Sequence, residues 1–179
     1  MHKHKSFEKN PENRPHRRFN LMTGEWVLVS PHRIDRTCTG QPREPDKTHA
    51  VQYDPRCSMC PGNQRTSGKI NPMYTRLLIF TEDVPALLPD TDLQKPPLDT
   101  LLQAAPESGL CRVICYHPRH DLTMARMNEN QIRAVIDAWI DEFNMLCQEK
   151  DIAYIQIFEN KRDLMDNAKP HPHGHIWAS

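Results

Sequence analysis

The chain has 179 residues, with 23 Lys and Arg against 23 Asp and Glu, and only 37% of it is hydrophobic. Balanced charge excludes a bulk electrostatic pull toward nucleic acid or an anionic bilayer, so any phosphate must be held by local residues. No apolar run approaches the ~18–20 residues of a membrane span, and the polar start lacks the apolar stretch of a signal peptide, so the expected setting is soluble and cytoplasmic. In that compartment the six cysteines read as core thiols or metal ligands rather than disulfides.

Residues 1–18 are polar and basic and read as an N-terminal arm, with a folded domain over 19–179. Trp26, Val27, Leu28 and Val29 follow a Thr23–Gly24 turn signal and predict a strand that stops at Ser30–Pro31. From Thr37 to Lys69 there is little periodicity, and a loop of that length needs something to hold it; the pair Cys57 and Cys60 offers a metal as that restraint. Strands are expected at 77–80 and 111–116, on either side of a proline-rich connection from Pro85 to Pro106.

The clearest element is a helix over 129–149. Ile132, Val135, Ile136, Trp139, Ile140, Phe143, Leu146 and Cys147 recur at the spacing of one helical face, and Asn128 with Gln131 can cap its start. Arg133, Asp137, Asp141 and Glu142 fall mostly off that face. An alternating run from Ala153 to Phe158 predicts a further strand, and the chain closes on His171-Pro-His173-Gly-His175-Ile-Trp177.

In an extended segment those three alternating imidazoles lie on one side of the chain. An imidazole whose other nitrogen is fixed by a backbone acceptor attacks phosphorus at neutral pH, and the resulting bond is labile enough to pass the group on. Gly174 is expected to let a phosphate approach the main chain.

Seven motifs occur in order: PHRRFN at 15–20, TGEWVLVSPHRIDR at 23–36, CSMCPGN at 57–63, NPMYT at 71–75, RVICYHPRHDLT at 112–123, QIFENK at 156–161 and KPHPHGHIWAS at 169–179. Together they resemble the N-terminal half of the galactose-1-phosphate uridylyltransferase family, a branch of the histidine-triad superfamily. The resemblance implies an α+β fold, a histidine-triad-like antiparallel sheet or half-barrel with the helix packed on it. It implies exchange of UMP between UDP-glucose and galactose 1-phosphate through a uridylyl-histidine, with His173 as nucleophile. It further implies a structural Zn2+ held by Cys57, Cys60, His120 and His171, with His117 left open as a competitor for the third position. Substrate-binding positions carried over are Arg33, Arg36, Asp83 and Asn160; the remaining cysteines, Cys38, Cys111, Cys115 and Cys147, read as packing residues. A homodimer is implied, with neither nucleic acid nor membrane as partner, and the family's second half, with its second metal site in some members, lies outside this sequence.

The sequence also departs from that pattern. Asp166 and Ala168 stand where a glycine and a serine precede the triad, and Glu82 stands where an asparagine is expected near the uridine. His175 replaces the glutamine of transferases and matches the third histidine of histidine-triad hydrolases, whose ring shuttles a proton. It is therefore a second candidate catalytic residue, and two alternatives stay open: a nucleotidyl hydrolase, or an inactive nucleotide-binding fragment.

Overall fold

A computed structural model describes residues 13–34, 51–91, 101, 103–160 and 171–179. Its centre is a four-stranded antiparallel sheet in the order β3 (Leu78–Thr81), β5 (Leu110–Cys115), β7 (His173–Ala178), β6 (Ile155–Phe158). A three-stranded sheet lies beside it, in the order β2 (Glu25–Val29), β1 (His16–Asn20), β4 (Ala104–Pro106). One helix, α1 (Glu129–Leu146), packs on the larger sheet. No helix among the described residues is long and apolar enough to cross a membrane.

β1 and β2 form a hairpin closed by Gly24, whose φ of 72° is the left-handed conformation glycine adopts without strain. Phe19 faces Trp26 across it, ring centroids 5.3 Å apart. Strand β1 starts at His16, so residues 16–18 belong to the sheet rather than to an arm. Buried His16 explains the earlier start: its Nδ1–H donates to the Arg14 carbonyl at 2.8 Å and its Nε2 accepts from Arg18 Nε at 2.9 Å. Both ring nitrogens are satisfied, which lets a polar residue open a strand. The short β4 lies inside the proline-rich connection, where sequence periodicity gives no signal.

Alternation along β5 and β7 sorts their residues onto two faces. Ile114, Ile176 and Ala178 join Tyr116, Val135 and Leu146 under α1. The opposite face carries Val113 and Cys115, packed with Cys57, Met59, Cys60 and Tyr74. His173 and His175 lie on this second face, paired in register with Cys115 and Val113. Helix packing and site chemistry are thus kept on opposite sides of one sheet.

The capping box at the start of α1 is present in both directions: Asn128 accepts from the Gln131 N–H at 3.0 Å, and Gln131 accepts from the Asn128 N–H at 2.9 Å. The buried face differs from the expected stripe. Val135, Ala138, Glu142 and Leu146 are buried, whereas Ile136, Ile140, Phe143 and Cys147 are exposed. Arg112, on the helix-facing side of β5, meets the Glu142 carboxylate at 2.5 Å, so this acid lies on the buried face of the helix with its charge partnered. Of the other packing cysteines, Cys111 and Cys115 are fully buried, Cys147 is not, and Cys38 lies outside the described residues.

Gly174 also differs from expectation. A Cβ there would collide with the Tyr116 hydroxyl and lie 3.1 Å from the Phe158 carbonyl. The glycine makes room for a tyrosine on the helix side of the sheet, not for a phosphate on the histidine side. Tyr116 is in turn held by Trp139, centroids 6.0 Å apart at 73°, and has little room to retreat. Gly174→Ala is therefore expected to cost about 1–3 kcal/mol by overpacking, read as a lower denaturant midpoint at unchanged m-value.

Candidate functional site

The irregular stretch at 51–75 is organised by side-chain amides. Asn63 Nδ2 donates to the carbonyls of Asp54 and Cys57 at 2.8 and 2.9 Å, and Asn71 Nδ2 donates to those of Ser58 and Cys60 at 2.9 and 3.0 Å. Gly62, at φ 75°, turns the chain immediately after the second cysteine. These bonds fold Cys57–Cys60 into a tight knuckle, with the Cys60 N–H donating to the Cys57 carbonyl at 3.2 Å.

Against that knuckle sit His120, from the loop after β5, and His171, just before β7. Their Nδ1 atoms lie 3.6 and 3.5 Å from Cys60 Sγ, and one ligand atom from each of Cys57, Cys60, His120 and His171 falls within a 4.8 Å cluster. All four side chains are buried. Burial pushes the Cys57 thiol up, but hydrogen bonds from His120 and His171 outweigh it and bring it down to about 5. Cys60 is pushed up to about 11, first by burial and also by the neighbouring Cys57 charge. Two buried sulfurs beside two imidazoles are a donor set that fits a tetrahedral metal ion, whose positive charge would hold both as thiolates.

Tyr74 sets which nitrogen of His171 is open to a metal. Its hydroxyl donates to the Met59 carbonyl at 2.6 Å, so at 3.0 Å it accepts from His171 Nε2–H, leaving the lone pair on Nδ1, which faces Cys60. Nothing in the NPMYT motif signals this role of Tyr74, because the tyrosine and the histidine it orients are 97 positions apart. Tyr74→Phe is expected to weaken metal affinity about 10- to 100-fold, as loss of an orienting partner does, read by competition with a chromophoric chelator. His117, the alternative ligand, is engaged elsewhere: its Nδ1 accepts from the Arg119 N–H at 3.1 Å and its Nε2 lies 3.0 Å from Gln131 Nε2.

One residue beyond Pro172 the next imidazole has different partners. His173 Nδ1–H donates to the His171 carbonyl at 2.7 Å, which fixes the tautomer and puts the lone pair on Nε2. The cluster and His173 meet in one residue: the His171 ring belongs to the cluster and its carbonyl accepts from His173. His175, next on the same face, has its ring centroid 5.2 Å from that of His173, stacks on Phe158 at 5.4 Å and 21°, and has Nδ1 at 4.0 Å from Glu82 Oε2.

The sequence matches the family described as Galactose-1-phosphate uridyl transferase, N-terminal domain, over residues 5–179. The chain belongs to that family. It is 44% identical over 171 residues to a galactose-1-phosphate uridylyltransferase of Cryptococcus neoformans, covering 92% of this chain and 45% of that protein. To the Haemophilus influenzae enzyme of the same name it is 40% identical over 169 residues, covering 94% and 48%. The chain thus spans about half the length of the curated relatives it matches. A solved uridylyltransferase superposes with a TM-score of 0.66 at 23% identity, over 90% of this chain and 45% of that one. An ADP-glucose phosphorylase from Arabidopsis thaliana with bound ADP-glucose superposes at 0.53 and 20% identity, over 92% and 49%. Both share the fold.

The substrate-binding positions suggested by likeness to the uridylyltransferase family fare unevenly. Arg33 ends a 3-10 turn, Pro31–Arg33, and reaches Glu82 Oε1 at 3.5 Å, which ties it to the His175 side of the site. Asp83 has other partners, its carboxylate 3.7 Å from Arg65 Nη1 and accepting the Ser67 N–H at 3.2 Å. Asn160 stands two residues beyond β6, the strand paired to β7, and is half-buried. Arg36, Asp166 and Ala168 lie outside the described residues.

Proposed function

We propose that this chain carries the nucleotidyl-transferring site of a UDP-glucose–hexose-1-phosphate uridylyltransferase, with His173 as covalent nucleophile. The observation that carries the reading is the 2.7 Å bond from His173 Nδ1–H to the His171 carbonyl, in a chain of this family. Nε2 attacks the α-phosphorus of UDP-glucose; the Nε2–P bond forms as the P–O bond to glucose 1-phosphate breaks, and that product leaves with the electron pair. Positive charge gathering on the ring is stabilised through Nδ1–H by the carbonyl it already faces. An oxygen of galactose 1-phosphate then attacks phosphorus and Nε2 leaves, so one difficult displacement becomes two easier ones. Arg33, Arg36 and Asn160 are assigned to the phosphates and Asp83 to the ribose.

The four-ligand cluster is assigned to Zn2+, because two sulfurs and two imidazoles in a closed buried site match its structural preference. When bound it would supply no chemistry to the transfer; it would anchor the 57–63 knuckle to the start of β7. A reducing cytoplasmic setting suits a site built on two thiolates, and a homodimer completes the proposal. Incubation with UDP-glucose should add one uridylyl group by intact-mass spectrometry, and galactose 1-phosphate should remove it as UDP-galactose. Absence of any adduct while nucleotide binding is retained would overturn the enzymatic reading in favour of a binding module.

A further inference from the structure

On the helix side of the larger sheet, where β6 ends, a cavity of about 260 Å³ is lined by Tyr116, Met124, Trp139, Ile157, Phe158 and Glu159. Tyr116, Met124, Trp139 and Ile157 belong to the apolar cluster under α1, but two atoms in this wall are polar. The Tyr116 hydroxyl and the Trp139 Nε1–H are both buried, and neither finds a hydrogen-bond partner among the described residues. Tyr116 is only 2% exposed, so bulk water does not serve it. Buried tyrosine and tryptophan normally pair these groups, and an unpaired one is costly. The hydroxyl is also a donor at physiological pH: burial first, and the nearby Glu159 charge second, hold it well above the usual phenol range, and the opposing influence of the Trp139 indole is smaller.

These features state what would fit. An indole N–H only donates, so the guest must bring an acceptor. Glu159, exposed at the end of β6, disfavours an anion. A second depression, of about 350 Å³, shares Trp139 and Ile157 with the cavity and is continued by Ile136, Ile140 and Phe143, which stand 42%, 51% and 45% exposed. That surface suits an apolar body.

We propose that this cavity binds an uncharged amphiphile, whose carbonyl or amide oxygen accepts from the Tyr116 hydroxyl and Trp139 Nε1–H while its apolar part lies over Trp139 and Ile157. The site is separate from the one that handles nucleotide. His173 and His175 lie on the opposite face of β7, in register with Cys115 and Val113, whereas Tyr116 abuts β7 from the helix side at Gly174. The guest is therefore a second ligand, bound whether or not nucleotide is present.

The test titrates the full 179-residue chain, labelled with nitrogen-15, with 2-phenylacetamide and follows the indole N–H signals of its three tryptophans by NMR. Trp139→Phe assigns the signal of interest. That signal should move downfield as it gains an acceptor and saturate with a Kd on the order of a millimolar, the range of a fragment-sized ligand. The Trp26 and Trp177 signals should stay in place, and saturating UDP should leave the Kd unchanged. Toluene, which lacks the acceptor, should bind about tenfold more weakly, and phenylacetate should do likewise until Glu159→Gln narrows its gap to the amide. Tyr116→Phe should raise the Kd for phenylacetamide about fivefold, the loss of one hydrogen bond. In the free protein the same variant should melt no lower than wild type, because the hydroxyl has no partner to lose. A Trp139 signal that does not move, toluene or phenylacetate binding as well as the amide, or displacement by UDP would each overturn the proposal. So would a clearly lower melting temperature for unliganded Tyr116→Phe, which would mean that the fold itself already uses the hydroxyl. Should Tyr116→Phe fail to fold, the comparison of the amide with toluene on the wild-type chain decides.

Discussion

Replacing His173 with glycine is expected to remove the uridylyl adduct entirely and to lower transfer on the order of 10⁶-fold, the scale seen when a covalent nucleophile is deleted from a coordinated site. The size follows from what the ring supplies. Nε2 is the atom that bonds to phosphorus, and its tautomer is set in advance by the His171 carbonyl at 2.7 Å, so no neighbour can replace it without moving the backbone. His175 has its ring centroid 5.2 Å away, stacks on Phe158 and has Nδ1 at 4.0 Å from Glu82 Oε2. Backbone pairing of β7 to β5 and β6 does not involve the ring, although glycine in a strand costs roughly 0.5–1 kcal/mol. His173→Asn separates the two effects: it retains a side chain and should be equally inactive while melting closer to wild type. An adduct of full occupancy in either variant would reassign the nucleophile.

The legible parts of this molecule are those in which a local pattern has one physical solution. Asn128 and Gln131 announced the helix start because a capping box is a four-residue event, and the hairpin at Gly24 needed only its turn residue. Alternating histidines placed His173 and His175 on one face before any coordinates, since strand geometry leaves no choice. What stayed hidden depends on partners distant in sequence. Glu142 reads as a solvent residue until Arg112 of β5 is placed beneath it, and Ile136, Ile140 and Phe143, read as core from their spacing, face outward. Gly174 reads as a phosphate gap until Tyr116 fills the space behind it. Tyr74, Asn63 and Asn71 carry no signature at all, because a side chain that orients a ligand or holds a loop is chosen by three-dimensional proximity rather than spacing.

Removing one thiolate should have the second large effect, on stability rather than on chemistry. Cys60→Ser is expected to reduce bound metal from one ion per chain to near zero, measured by plasma mass spectrometry on protein purified without chelator. Cys60 is the hub of the cluster, facing both histidine Nδ1 atoms while its carbonyl accepts from Asn71. A metal present at a thousandfold above its Kd stabilises the native state by about 4 kcal/mol, which for a domain of this size is a fall of roughly 8–16 °C in Tm. Acid should reproduce the loss in the wild-type protein, since each thiol and imidazole must shed its proton to ligate and falling pH returns it. The consequence reaches the catalytic ring through one atom. His171 contributes its side chain to the cluster and its carbonyl to His173, so loosening the cluster is expected to disturb the placement of the acceptor that sets the nucleophile's tautomer. Metal depletion should therefore slow adduct formation before the protein melts, and re-addition of Zn2+ should restore both the melting temperature and the adduct. A metal-free chain with unchanged Tm and adduct formation would break the link between the cluster and His173.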